Sequence, residues 1–331
     1  MGATSNGAWP AAILPAAARR FGVPNNTLRV IGGFENYLGE GRLDGLPIVL
    51  RIARADRRSP EMLQAEFHWI RYLADRGVPA ARPIPSPEGA LIERIEVDGV
   101  SYHVSAFERA PGKSLDVNEF SDNLVRHWGA LVGRMHASGT DYRPTFREGI
   151  RPMWDEDPDI AQPEQYLPPD QTAVRDRVVE YRTELRSWST QPDCFGMIHS
   201  DLHPSNFHVH RDTIMIFDFD DCRYEWYASE IASILFFVLL DSPGGESPVV
   251  FGRRFLGTFL AGYRMEKAIE DLWLKRIPVL LKFREVSQYI GVYRTCDMNH
   301  LNEWRRRFLS GRRESIENQT PMIDFDPSEI Y

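Results

Sequence analysis

The stretch HSDLHPSNFHVHRDTIMIFDFDDC, His199 to Cys222, holds four histidines and five aspartates in 24 residues. Short apolar runs thread between them, so the ionisable groups interrupt buried strands. Three chemistries could use them. A zinc cage would need three or four ligands converging tetrahedrally. Nothing in the spacing of His199, His203, His208 and His210 requires that, and the last two fall on one face of a strand. An aspartyl phosphatase would use the D-x-D that ends the strand at IMIFDFDDC, but Cys222 stands where the haloacid dehalogenases carry Thr or Val. In those proteins the strand also lies near the N-terminus. Magnesium-dependent phosphoryl transfer uses more of the stretch. Asp201 and Asn206 form a D-x-x-x-x-N spacing, and Asp218 follows at the end of the next strand pair. That reaction needs a group to accept or orient the attacking hydroxyl, and oxygen ligands for the metal on the phosphates. Asp201 suits the first role, and Asn206 and Asp218 supply the hard oxygens that Mg²⁺ prefers.

A loop, strand, turn, strand path brings these groups together, and the rest of the chain must support it. From Leu28 to Ala53, short apolar runs are broken by Gly32-Gly33 and by Asp44-Gly45, a hairpin signal. Three antiparallel strands follow, with Ile48, Leu50 and Ile52 on one face of the last and Val49 and Arg51 on the other. Ser59-Pro60-Glu61 reads as a helix start, with Leu63, Phe67, Ile70 and Leu73 at helical spacing and Gly77 as the stop. ALIERIEV, DGV and SYHVSAFE form a second hairpin. Residues 1–108 thus read as a small sheet of about five strands with one helix. After the punctuated RAPGKSL, residues 109–331 read as mostly helical, opening with Leu124, Trp128, Leu131 and Met135 on one helix face. The proline- and acid-rich RPMWDEDPDIAQPEQYLPPD reads as an irregular lid. Its Asp155, Glu156, Asp157 and Asp159 offer charge complementarity to an amine, against the plainer reading of a solvated loop. NEWRRRFLSGRRESIE reads as one charged helix with a solvated arginine face.

Composition bounds the rest. The 331 residues, 43% apolar and 26% charged, describe a folded chain of one large or two unequal domains. A net charge of −8 argues against nucleic acid as a partner. Cys194, Cys222 and Cys296 have no paired spacing and read as buried thiols in a reducing compartment. The longest apolar run, Ile231 to Leu240, is ten residues against the ~20 that span a bilayer. A cytoplasmic protein without a membrane partner is expected.

The chain resembles the aminoglycoside phosphotransferase and choline kinase family. IHSDLHPSNF is similar to that family's hHGDlHpgN loop, with Ser200 in place of glycine, and IFDFDD to its metal strand. The resemblance implies an α+β, bilobal, protein-kinase-like fold, with a small antiparallel-sheet N-lobe (1–108, nucleotide-binding) and a larger, mostly helical C-lobe (109–331, catalytic and substrate-binding). It implies Asp201 as catalytic base and Asn206 and Asp218 as Mg²⁺ ligands, with Asp220 as an auxiliary ligand. IVLRIA places Arg51 on the nucleotide phosphates, where protein kinases carry lysine, and Glu66 as its helix partner. SAFERAPG resembles the hinge, so that Phe107 lines the adenine pocket and backbone groups of Glu108 and Ala110 bond the base. Glu230, in YASEIASILF, stands for an acid that braces the catalytic loop. A phosphate-covering role for Gly32, Gly33, Phe34 and Asn36 competes evenly with a plain hairpin. The expected activity is ATP- and Mg²⁺-dependent transfer to the hydroxyl of a small molecule, with an amine-bearing aminoglycoside, choline or homoserine as examples. A protein Ser/Thr kinase and a non-catalytic nucleotide-binding regulatory module remain as alternatives, and the oligomeric state is open.

Overall fold

The computed structural model describes residues 10–33, 35–144, 151–242 and 245–330. The chain divides into two compact units, one of Met1–Gly112, Arg143–Arg151 and Met215–Asp220, the other of Lys113–Tyr142, Pro152–Ile214 and Asp221–Tyr331. The chain leaves the first unit after Gly112, beyond the Glu108 limit drawn above, and two later segments return to it.

In the first unit α1 (Ile13–Arg20) precedes β1 (Arg29–Gly32), β2 (Tyr37–Leu43) and β3 (Leu46–Arg54). Then come α2 (Pro60–Ala74), β4 (Pro83–Ile84), β5 (Glu93–Val97) and β6 (Val100–Glu108). The strands form one sheet in the order β1-β2-β3-β6-β4, with β5 also paired to β6, and every pairing is antiparallel. Two hairpin turns carry Asp-Gly pairs with positive φ at both residues, Asp44 and Gly45 at 50° and 80°, Asp98 and Gly99 at 52° and 74°. That backbone twist matches the strands it joins. The alternation in β3 works as expected: Ile48, Leu50 and Ile52 enter the core with Ile13, Leu14 and Phe21 of the α1 segment. Arg51 faces the other way and is nevertheless buried. α2 begins where Ser59 Oγ accepts from Met62 N at 3.3 Å, and it buries Leu63, Glu66, Phe67 and Ile70. The helix α1 and the two-residue β4 were not anticipated. Alanines and prolines gave α1 no clear apolar period, and β4 is too short to show alternation.

The second unit contains α3 (Asp122–Thr140), α4 (Pro158–Ala161) and α5 (Thr172–Arg186), then β7 (Phe195–Ile198) and β8 (Phe207–His210). The chain passes to the first unit within β9 (Thr213–Ile216), the partner of β8. It returns for β10 (Arg223–Trp226), which pairs antiparallel with β7, and continues through α6 (Tyr227–Leu240) and α7 (Pro248–Tyr263). α8 (Asp271–Lys275), α9 (Ile277–Thr295), α10 (Glu303–Leu309) and α11 (Arg312–Glu317) complete it. α6 is buried from Tyr227 to Leu239, as its uninterrupted apolar sequence requires. α3 and α7 cross closely: a Cβ at Gly129 would lie 1.9 Å from Phe259 O, and one at Gly262 1.9 Å from Arg126 O. Only glycine permits that crossing.

Two expectations fail here. The charged tail is two helices, because Gly311 takes φ 68° between α10 and α11. Its arginines are not simply solvated: Arg307 pairs with Asp241 at 2.9 Å, Arg312 with Glu285 at 2.6 Å and Arg313 with Asp170 at 2.6 Å. The acid-rich segment is neither an irregular lid nor a solvated loop. It folds into short helical turns, and its acids are engaged within the unit. Asp155 accepts from Arg186 at 2.9 Å, Asp157 pairs with Arg223 at 2.5 Å and Asp159 with Arg294 at 2.6 Å. Glu156 accepts from Met153 N at 2.8 Å. Burial, with Asp157 alongside, pushes the Asp159 carboxyl up to about 6 despite its arginine. Among the described residues, no helix is long and apolar enough to cross a membrane.

Candidate active site

The motif loop of the second unit leaves β7, whose four residues are all buried. At Ser200 the backbone takes φ 73°, a conformation that costs an L-residue roughly 1–2 kcal/mol and that glycine would adopt freely. The neighbouring amides are secured by Glu230 on the first turn of α6. Its Oε2 accepts from His199 N at 2.7 Å and its Oε1 from Ser200 N at 2.9 Å. Complete burial pushes the Glu230 carboxyl up to about 7, against the lowering influence of His199.

This brace points the next residue outward: the Asp201 side chain keeps 28% exposure. Its Oδ1 accepts from Arg284 Nη2 at 2.8 Å, and His203 Nε2 lies 3.4 Å from its Oδ2. His203 Nδ1 accepts from Ser205 N at 3.2 Å, which leaves the ring proton on Nε2, facing Asp201. Burial opposes ionisation, but His203 and the Arg284 guanidinium hold the Asp201 carboxyl well below the usual carboxylate range. Asn206 Nδ2 donates to Asp201 O at 2.8 Å and to its Oδ2 at 3.3 Å. The amide nitrogen is thus spent on Asp201, and the amide oxygen is the atom suited to a cation.

The first unit holds the other expected residues. Arg51 Nη1 and Nη2 donate to the two oxygens of Glu66 at 2.7 and 2.8 Å, a bidentate pair with 5% and 0% exposure. The Phe107 ring lies under the guanidinium, 4.9 Å from its carbon, and meets Phe67 edge-on. Burial works against the Arg51 charge, but Glu66, Asp220 and Asp218 raise its pKa further above the ordinary value. Asp218 sits at φ 65°, an unfavourable backbone conformation of the kind that persists at functional turns. At the end of β6, Glu108 N donates to Arg82 O at 2.9 Å, so a bond from Glu108 to a bound base would come from its carbonyl. Ala110 is buried. In the β1–β2 turn, Gly32 and Gly33 adopt φ 121° and 129°, and a Cβ at Gly33 would lie 1.8 Å from Asn36 O. Phe34 lies outside the described residues. Asn36 Nδ2 donates to Asp220 Oδ2 at 3.3 Å.

Within their units, then, Asp201 meets Asn206, and Arg51 meets Glu66, Phe107 and Asp220. Sequence reasoning missed the partners of Asp201 and Asp220. Arg284 on α9 is 83 residues from Asp201, with nothing local to mark it. Its guanidinium also lies over Phe237, 5.0 Å from the ring centre, and the His203 ring packs on the same phenyl. Arg57, Arg58 and Arg151 gather on Asp220. The RR dipeptide after β3 was the available signal for the first two.

Residues 27–272 match the phosphotransferase enzyme family. The chain is 32% identical over 323 residues to an amicoumacin kinase of Bacillus subtilis (strain 168), covering 96% of this chain and 95% of that one. A solved amicoumacin kinase in complex with AMP-PNP, Ca²⁺ and Ami superposes with a TM-score of 0.91 at 31% identity, over 98% of each chain. A microcompartment-associated aminopropanol kinase gives a TM-score of 0.75 at 20% identity, over 93% of this chain and 96% of that one, a likeness of fold alone. The α+β, protein-kinase-like fold expected from the motifs stands.

Proposed function

The chain belongs to the phosphotransferase enzyme family, and on that premise we propose that it moves the γ-phosphoryl group of ATP to the hydroxyl of a small, amine-bearing molecule. Amicoumacin is the first acceptor to consider, because the relative that shares 32% identity over nearly the whole chain is an amicoumacin kinase. The observation that carries the reading is the Asp201 carboxylate: part exposed, ionised, and fixed from both sides by Arg284 and Asn206. A carboxylate held this way orients an incoming hydroxyl and accepts its proton as the new O–P bond forms. Its depressed pKa makes it a weak base, which suits a loose transition state in which the hydroxyl proton leaves late.

In this reading the first unit is the nucleotide-binding lobe and the second the catalytic and acceptor-binding lobe. Arg51, kept straight by Glu66, presents its guanidinium to the α- and β-phosphates, and Phe107 with the backbone of Glu108 and Ala110 receives the adenine. The donor set fits a hard divalent cation: the Asn206 amide oxygen and the Asp218 carboxylate are oxygen ligands, with no sulfur or imidazole among them. Mg²⁺ held there neutralises charge on the phosphates when bound. A reaction that consumes ATP fits the cytoplasm.

The test is ADP release by the purified protein with Mg²⁺ and ATP, across amicoumacin, aminopropanol, homoserine, choline and aminoglycosides. Acceptor-dependent release is expected with amicoumacin and should vanish in Asp201→Asn. ATP binding without release on any acceptor would instead favour a regulatory nucleotide-binding module.

A further inference from the structure

Asp220 was expected to help bind the metal, yet its surroundings in the first unit are those of a counter-ion. Arg57 Nη1 lies 2.6 Å from Asp220 Oδ2, Arg58 Nε 3.4 Å from Oδ1 and Arg51 Nη1 4.0 Å from Oδ1. Asn36 Nδ2 adds a third hydrogen bond at 3.3 Å, while Arg51 contributes charge and no hydrogen bond. A carboxylate has about four lone-pair positions, so these three hydrogen bonds take up most of what a cation would need. Arg151 Nη2 donates to the Asp220 carbonyl and its Nη1 to Met62 O at 3.4 Å, which ties the turn to α2 and fixes where the carboxylate points.

The arginines differ in how committed they are. Arg51 is buried and uses both terminal nitrogens on Glu66. Arg57 and Arg58 keep 21% and 19% side-chain exposure. Arg57 reaches three acceptors on two segments: Asp220, the Asn36 Oδ1 at 2.9 Å, and the Glu35 carboxylate. Glu35 and Asn36 belong to the turn between β1 and β2. Planar guanidiniums in such an array match phosphate oxygens in bidentate fashion, where a lysine would offer only a point charge.

We infer that Arg57 and Arg58, beside Arg51, form the receptor for the β- and γ-phosphates of the nucleotide, and that Asp220 holds these arginines in place until the nucleotide arrives instead of binding the metal. The inference rests on the nucleotide-binding reading above and assigns it two residues outside the β3 strand. The Asp220 carboxylate and the polyphosphate compete for the same guanidiniums.

The test is a titration of the purified chain with a fluorescent nucleoside triphosphate, and with the matching diphosphate, in the presence of a chelator and then with Mg²⁺. In chelator, Arg57→Ala is expected to weaken the triphosphate roughly tenfold, the worth of one charge-assisted hydrogen bond, and the diphosphate less. Arg57→Lys should recover part of the loss. Asp220→Asn should shift affinity the opposite way, tightening the metal-free triphosphate by removing its competitor. A melting curve on each variant separates binding from folding: if Asp220→Asn does not fold, the Arg57 pair still decides. Equal affinity of wild type and Arg57→Ala for the triphosphate would overturn the inference and leave the nucleotide reading intact. So would an Asp220→Asn variant unchanged in chelator and impaired only with Mg²⁺. A wild-type chain that binds no nucleotide at all would overturn both.

Discussion

Asp201 and Asp220 are both carboxylates against arginine, yet the two units treat them differently. Asp201 has one guanidinium at 2.8 Å, an imidazole beside it and 28% exposure. Asp220 has three guanidiniums within 4.0 Å and 7% exposure. The backbone is held in both cases, by Glu230 on the amides before Asp201 and by Arg151 on the carbonyl of Asp220. What differs is how many cations share one charge. A single arginine orients the Asp201 carboxylate while leaving it partly open to solvent; several arginines around Asp220 make it the counter-ion in the anion site proposed above. On the readings proposed above, the same side chain would be a reactive group in one unit and a placeholder in the other.

The largest effect that could break this contrast is at Asp201. Asp201→Asn should lower turnover about 10²–10⁴-fold while nucleotide affinity stays within about twofold, measured by ADP release and by titration. Loss of nucleotide binding in that variant would put Asp201 in the same class as Asp220. Next comes the buried pair: Glu66→Ala strands the Arg51 charge and should cost about 3–5 kcal/mol of stability in urea unfolding. In the second unit Glu230→Ala leaves the amides of His199 and Ser200 without their acceptor, at about 1–3 kcal/mol for each. Comparable losses in both units would show that bracing matters equally to each.

A smaller effect is the pH dependence of stability. The Glu230 carboxyl has its folded pKa raised to about 7 from an ordinary 4.5. Between those values the folded chain binds the proton and the unfolded chain does not. Its contribution is therefore full below about pH 4.5 and lost as pH rises through 7. Glu230→Gln should flatten that slope in melting curves taken across the window. The smallest is Ser200→Gly, expected to stabilise by about 1 kcal/mol by relieving the positive φ.

Much of this was readable because the signals were local. Ser59 and Gly77 bound a helix whose period places Glu66 inward, and the alternation of β3 sends Arg51 to the face opposite Ile48, Leu50 and Ile52. The family resemblance implied that Arg51 and Glu66 pair, and they do. The hairpins were equally plain in their Asp-Gly pairs. The failures were of another kind. Gly311 looked like one glycine in a charged helix, and no periodicity could weigh its positive φ. The acids of residues 155–159 looked available to a ligand because their arginines, Arg186, Arg223 and Arg294, lie far along the chain.

Residue type, spacing and motif resemblance were enough to point to the reaction class, to most of the strand and helix order, and to Asp201, Asn206, Arg51 and Glu66 as candidates, since each depends on a repeat or motif a few residues long. Which cations answer Asp201 and Asp220 was settled by folding alone. Arg284 reaches Asp201, and Arg57, Arg58 and Arg151 reach Asp220, only after helices and turns distant in sequence have packed. An ion pair is decided by a distance of a few ångströms between side chains, and no local pattern encodes that distance.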